Sequence, residues 1–195
     1  TTLDADLCGN YVDEVAITAT DACGNTAVHV FLIELDDATP PTWDIEDLPA
    51  SGEVACDAVE PAVVMTATDD CGDPVAVIFS EVASNQQCSG TYTLTRTWIA
   101  MDCSGNAITY AQTLNVVDNV APVFTLIPSD ETGTCSEPSY AYDAEDECGT
   151  VTFEETRITL LSDDCGNYVD EITATATDEC GNSASIQFLR GVSDN

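Results

Sequence analysis

Two classes of residue in this chain are equipped to bind or to cross-link: carboxylates and cysteines. Thirty-six acidic side chains stand against three basic ones, Arg96, Arg157 and Arg190, giving a formal net charge of −33 over 195 residues. A folded body so charged repels itself unless counter-ions are held close. Nucleic acid and anionic membrane have the wrong sign for it, so neither nucleic-acid binding nor membrane insertion is expected. Divalent cations have the right sign. The competing use of such a surface is plain solubility.

The acids gather in three kinds of segment. Two linkers carry Asp36 and Asp37, then Asp118 and Asn119. A motif after each linker supplies Asp69, Asp70 and Asp73, then Asp143, Glu145, Asp146 and Glu147. A further turn motif supplies Asp102 with Asn106, then Asp178 with Asn182. Carboxylates brought together do not all stay ionised without a compensating cation. Six to eight oxygen ligands from carboxylates, amides and carbonyls suit Ca²⁺, whereas Mg²⁺ prefers a tighter octahedron. Ca²⁺ is therefore the expected cofactor, with these fifteen residues as candidate ligands. Each one taken singly is also an ordinary turn former.

Ten cysteines with no C-x-x-C pair point to disulfides rather than zinc or thiol redox chemistry, and to a compartment outside the reducing cytosol. His29 is the only histidine. With the cysteines oxidised it has no nucleophile to activate, and short loops offer little cleft for a sugar, so no enzymatic activity is expected.

The elements that place these groups follow from internal repetition. CGNYVDEVAITATDACGN at 8–25 returns as CGNYVDEITATATDECGN at 165–182, with a diverged copy at 88–106. A second motif occupies 56–73 and 135–150, and the linkers DDATPPTW and DNVAPVF mark the joints. The chain thus reads as the second half of one repeat (1–36) and two complete repeats (37–117 and 118–195), an excerpt or mature fragment of something longer. Apolar residues alternate with threonine and other polar residues, as in Thr91–Ala100 and Ala107–Val117, and Gly, Asn, Asp and Pro punctuate them. That is the pattern of antiparallel strands in a sandwich, with D-x-C-G-N as the hairpin turn. No run approaches the roughly 18 apolar residues of a membrane helix. Trp98 is expected in the core, and Trp43, matched by Phe124, is expected to pack at the joint.

The tandem ATDxCGN motifs, Ala19–Asn25, Ala67–Gly72 and Ala176–Asn182, and the D-N/T-x-A-P-V-F linkers resemble the HYR-like, immunoglobulin-related repeats of very large surface proteins of Bacteroidota. These include gliding-motility adhesins exported by type IX secretion. The middle copy departs from the motif at Ala100–Asn106, where the cysteine moves by one place. The resemblance implies an all-β chain of tandem immunoglobulin-like sandwiches on a bacterial cell surface. It also implies an extracellular stalk or filament whose partners are neighbouring repeats of the same chain or of a homopolymer. The linkers are similar, too, to the calcium-stiffened joints of cadherins. In the alternative reading the repeats themselves bind a glycan, such as surface polysaccharide, or a partner surface.

Four cysteines per complete repeat allow three pairings. Local pairing would join Cys88 to Cys103 across an extended run of roughly 30 Å, against the ~7 Å that a disulfide spans. The crossed pairing is preferred: Cys56–Cys88 and Cys71–Cys103, then Cys135–Cys165 and Cys148–Cys180, two per repeat. It leaves Cys8 and Cys23 to partners upstream or in a neighbouring subunit.

Overall fold

In the computed structural model, which describes residues 1–6, 8–72 and 75–194, period two is written directly into burial. Along Thr91–Met101 every second side chain from Leu94 to Ala100 is buried, and along Tyr168–Asp178 the same holds from Asp170 to Asp178. The fold is all-β. Its strands are β1 (Thr2–Ala5), β2 (Tyr11–Thr20), β3 (Thr26–Leu35), β4 (Thr42–Trp43), β5 (Gly52–Ala55), β6 (Ala67–Thr68), β7 (Ala76–Cys88), β8 (Thr91–Met101) and β9 (Ala107–Val117). They continue as β10 (Val123–Leu126), β11 (Glu131–Thr134), β12 (Asp143–Glu145), β13 (Val151–Ser162), β14 (Tyr168–Asp178) and β15 (Ser183–Ser193). A 3₁₀ turn, Cys56–Ala58, follows β5.

One topology is used twice. A four-stranded sheet has the order β5-β9-β8-β7 and then β11-β15-β14-β13, each with its first strand parallel to its last, and a two-stranded sheet pairs β4 with β6 and then β10 with β12. The register repeats as well. Trp43 stands opposite Ala67, and Phe124 opposite Ala144. Each complete repeat therefore has six described strands. The first half-repeat contributes only β1-β2-β3.

By contacts the chain divides into two compact units that do not follow the repeats. Unit 1 is Thr1–Ser51, Pro61–Val82 and Thr95–Gln112, and unit 2 is Gly52–Glu60, Ala83–Leu94 and Thr113–Asn195. In unit 1, Trp98 is buried to 1%, lies 5.2 Å from Phe79 between ring centroids, and donates its indole N–H to Val63 O at 3.1 Å. Trp98 is thus core, as expected. His29 is exposed on β3, 6.0 Å from Phe31. In unit 2, Ile172, Ala174 and Phe188 form a core with Tyr140, Tyr142 and Ile186 packed against it. Phe124 lies 6.4 Å from Phe153 and 6.5 Å from Tyr142. It packs inside the sandwich rather than at the joint, because β10 belongs to the two-stranded sheet facing β13.

Candidate functional site at the repeat joints

The recurring turn is built the same way wherever D-x-x-G-N occurs. The Asp102 backbone N–H donates to Asn106 O at 3.1 Å. Its Oδ1 accepts from Asn106 N at 2.8 Å and its Oδ2 from Asn106 Nδ2 at 3.0 Å. Asp178 and Asn182 repeat this at 3.0, 2.9 and 2.9 Å. So do the pairs Asp6–Asn10, Asp21–Asn25 and Asp163–Asn167. The glycine before the asparagine takes φ near +90° (Gly105 and Gly181 at +92°), which a side chain resists and glycine does not. For Asp6, Asp21 and Asp163 the asparagine side chain is the leading cause that holds the carboxyl below its ordinary pKa.

These turns hold the linkers from both sides. The linker residue Asp37 donates its backbone N–H to Asn10 Oδ1 at 2.6 Å, while its carbonyl accepts from Asn106 Nδ2 at 3.2 Å. The next linker repeats the arrangement. Asp118 N–H donates to Thr91 Oγ1 at 3.1 Å, and Asp118 O accepts from Asn182 Nδ2 at 3.2 Å. In each case the first partner sits on the tail-end hairpin of the preceding repeat and the second on the head-end turn of the following one. Glu179 adds a further tie, accepting from Ser89 Oγ at 2.5 Å and Thr150 Oγ1 at 2.6 Å, which lowers its pKa. Gly90 leaves room for nothing larger: a Cβ there would meet Asp118 Cβ at 2.6 Å and Cys148 Cβ at 2.9 Å.

The disulfides follow the linkers. They join Cys8 to Cys103, Cys56 to Cys148 and Cys88 to Cys180, with Cα separations of 5.5, 5.9 and 5.2 Å. Both cysteines of each bridge lie in one compact unit, yet in successive sequence repeats. The four expected bridges, Cys56–Cys88, Cys71–Cys103, Cys135–Cys165 and Cys148–Cys180, are therefore overturned, and Cys8 finds its partner downstream. The expectation treated each repeat as self-contained. Cys56 and Cys88 do share one end of their repeat, but that end abuts the Cys148 and Cys180 turns, and each thiol takes the nearer sulfur across the joint. Cys23, Cys71, Cys135 and Cys165 are exposed free thiols.

Of the fifteen candidate metal ligands, the structure brings Asp37, Asp69 and Asp70 together beside Cys71, with one ligand atom of each within 4.8 Å of the others. Asp37 Oδ2 and Asp69 Oδ2 are buried and lack a hydrogen-bond partner. Asp37 Oδ1 accepts from Thr39 N and Oγ1, the leading reasons its pKa is lowered. Desolvation and the charges of Asp37, Asp70 and Asp69 hold the Cys71 thiol above its ordinary pKa. Spare carboxylate oxygens in a tight group fit a hard cation such as Ca²⁺.

At the next joint the set is thinner. Asp118 Oδ2 is buried without a partner, but Asp178, within reach, has both oxygens engaged by its own turn. The nearby sulfurs of Cys56, Cys148 and Cys180 are bonded and poor ligands for a hard cation. Asp102, Asn106 and Asn182 serve as turn and clamp. Asp36 and Asn119 are exposed, Asp143 caps its own strand through Ala144 N, and Glu145, Asp146 and Glu147 line a surface hollow with Asp57 and Val120. Asp73 lies outside the described residues. Asn10, Thr91, Ser89 and Glu179 were not anticipated. The signal was present, since Cys8-Gly9-Asn10 and Cys165-Gly166-Asn167 spell the same turn at the opposite end of the repeat.

Residues 45–116 match the family of HYR-like domains with 4 cysteines. No curated protein matches the chain. Among solved structures it is similar to mouse clustered PcdhgC3 EC1-3, at 12% identity and TM-score 0.36, covering 95% of this chain and 77% of that one. It is also similar to Drosophila N-cadherin EC1-4, at 12% identity and TM-score 0.37, covering 97% of this chain and 58% of that one. At these scores neither likeness carries functional weight.

Proposed function

We propose that the chain is a segment of an extracellular structural or adhesive shaft on a cell surface, made of the repeats 1–36, 37–117 and 118–195 and stiffened at their joints by calcium. The observation that carries this reading is the linker aspartate, gripped through N–H by one repeat and through C=O by the next, at both Asp37 and Asp118. A joint held on two sides and crossed by disulfides transmits load and orientation, which a shaft needs and a flexible tether does not. Among the described residues, three bridges suit a compartment that preserves disulfides. The match of a HYR-like family over 45–116 falls within the middle repeat and supports the repeat assignment.

Calcium would be held first at Asp37, Asp69 and Asp70, whose spare oxygens it would satisfy, and there it would supply counter-charge to a chain of net charge −33. Calcium titration calorimetry on the intact chain, beside Asp37→Asn and Asp69→Asn, tests the site: the heat of the tightest sites is expected to vanish in the variants. Small-angle scattering with and without chelator tests the stiffening. An unchanged maximum dimension removes calcium from the mechanism and leaves the disulfides to do the stiffening.

A further inference from the structure

The edge strand of a sheet leaves a row of backbone N–H and C=O groups unpaired, and proteins ordinarily blunt such edges with charge, proline, a short run or a bulge. β7 is the last strand in the order β5-β9-β8-β7, and no described strand pairs with its outer edge. It runs for 13 residues without proline, and its one charged residue, Glu81, is neutralised by Arg96 at 2.6 Å. Phe79 and Glu81 face inward, towards Trp98 and Arg96. Ile78, Ser80 and Val82 therefore face outward, with Ile78 58% and Val82 59% exposed. The corresponding edge strand of the last repeat, β13, is guarded: its half-exposed Phe153 is followed by Glu154 and Glu155, both exposed, and by Arg157. β7 lies inside a complete repeat and owes its bare edge to its own sequence.

We propose that the stretch Ile78–Val82 of β7 is a lateral adhesion edge, which pairs antiparallel with the same stretch of a second copy. Two properties of the strand select a copy over any other occupant. The first is self-complementarity. An antiparallel pair centred on Ser80 sets Ile78 opposite Val82 twice on the outer face, with the small Ser80 against itself. On the inner face it sets Phe79 opposite Glu81, whose carboxylate stays with Arg96. The second is charge. A copy carries the same net charge of −33, and two such bodies approach only where neither presents an unpaired carboxylate. Beside β7, the outer face of β8 presents Thr95 and Thr97, so the surface flanking the edge is uncharged as well. Asn85, at φ +53°, ends the flat part of the strand. So short a contact is weak alone, and shafts lying side by side gain by repeating it.

Only the gain from repetition rests on the reading of the chain as a shaft; the pairing itself needs neither calcium nor stiffness, so it is tested with chelator present. The full chain, its exposed thiols alkylated so that no disulfide joins copies, is followed by sedimentation equilibrium up to millimolar concentration. The expected result is a reversible dimer that tightens several-fold as salt rises, because screening relieves the repulsion between like-charged copies. Val82→Lys should weaken it about tenfold or more without moving the melting temperature, and Ile158→Lys on β13 should leave it unchanged. Hydrogen exchange of the unaltered chain gives a readout independent of the variants: peptides covering Ala76–Val82 should slow several-fold on dimerisation, and those covering Val151–Arg157 should not. A chain monomeric at every concentration and salt, a dimer indifferent to Val82→Lys, or protection along β13 instead would each overturn the proposal. Each would also leave the shaft reading standing, since the scattering experiment tests that separately.

Discussion

Asn106 and Asn182 do two jobs with one side chain: each closes its own turn on Asp102 or Asp178, and each reaches the carbonyl of a linker aspartate. Asn25 closes the same turn and, among the described residues, reaches no linker carbonyl. Comparing the two isolates the clamp. Asn182→Ala is expected to lower stability by about 1–2 kcal/mol more than Asn25→Ala, the worth of a hydrogen bond plus a part-buried carbonyl left unpaired. Thermal melting of the two variants side by side checks this, and equal losses would mean the linker contact contributes nothing. Thr91 shows that the receiving position asks only for an oxygen acceptor, since a hydroxyl does there what Asn10 does with an amide. That equivalence is hidden in sequence, where CSGTY and CGNYV look like a diverged pair.

At the scale of elements, the turns and strands were the most legible part of the chain. Alternation in Thr91–Met101 and Tyr168–Asp178 is visible because one face meets a core and the other does not, and burial follows it residue by residue. The D-x-x-G-N turn is legible for a different reason: glycine at positive φ and an aspartate that binds its own backbone are local requirements, satisfied within five residues. These same bonds make the turns sensitive to acid. Asp6, Asp21 and Asp163 have folded pKa values lowered from 3.8, chiefly by Asn10, Asn25 and Asn167. A lowered folded value means the unfolded chain binds the proton more readily. The contribution is therefore complete above the ordinary aspartate range and is lost as pH falls below 3.8 through the lower native values. The carboxyl resonances of these three residues, followed by NMR on the way down in pH, are expected to titrate below those of freely exposed aspartates. Titration together with the bulk would show the turns to be loose.

For the whole molecule, the all-β class could be read from the sequence, and covalent connectivity could not. Ruling out Cys88–Cys103 required only the length of β8. Choosing between Cys56–Cys88 and Cys56–Cys148 required knowing what faces the tail end of a repeat, and that is a property of the assembly. Which carboxylate oxygens stay free of hydrogen bonds was hidden for a related reason. Proximity in the motif was legible, but Asp102 and Asp178 spend both oxygens on their own turns, whereas Asp37, Asp69 and Asp118 each keep a buried Oδ2 without a hydrogen bond. Sandwiches with cores as alanine-rich as Ala100, Ala144, Ala174 and Ala176 lean on their bridges. Each bridge closes a loop of more than 90 residues, and chain entropy assigns it about 4–5 kcal/mol. Reduction is accordingly expected to lower the melting temperature by well over about 10 °C, by calorimetry with and without a phosphine reductant. A shift of a degree or two would make the bridges ornaments of a fold that stands without them.

The separation of 92 residues between Cys56 and Cys148, and again between Cys88 and Cys180, has a mechanical meaning. Tension applied along the backbone passes through covalent shortcuts. Unravelling the polypeptide between one pair of sulfurs releases no slack while its bond survives, and because the loops closed by the three bonds overlap, the roughly 300 Å of contour in one loop is set free only when every bond spanning it is cut. Such a thread yields in chemical steps, governed by whatever thiols reach it, and not by the gradual melting of its sheets.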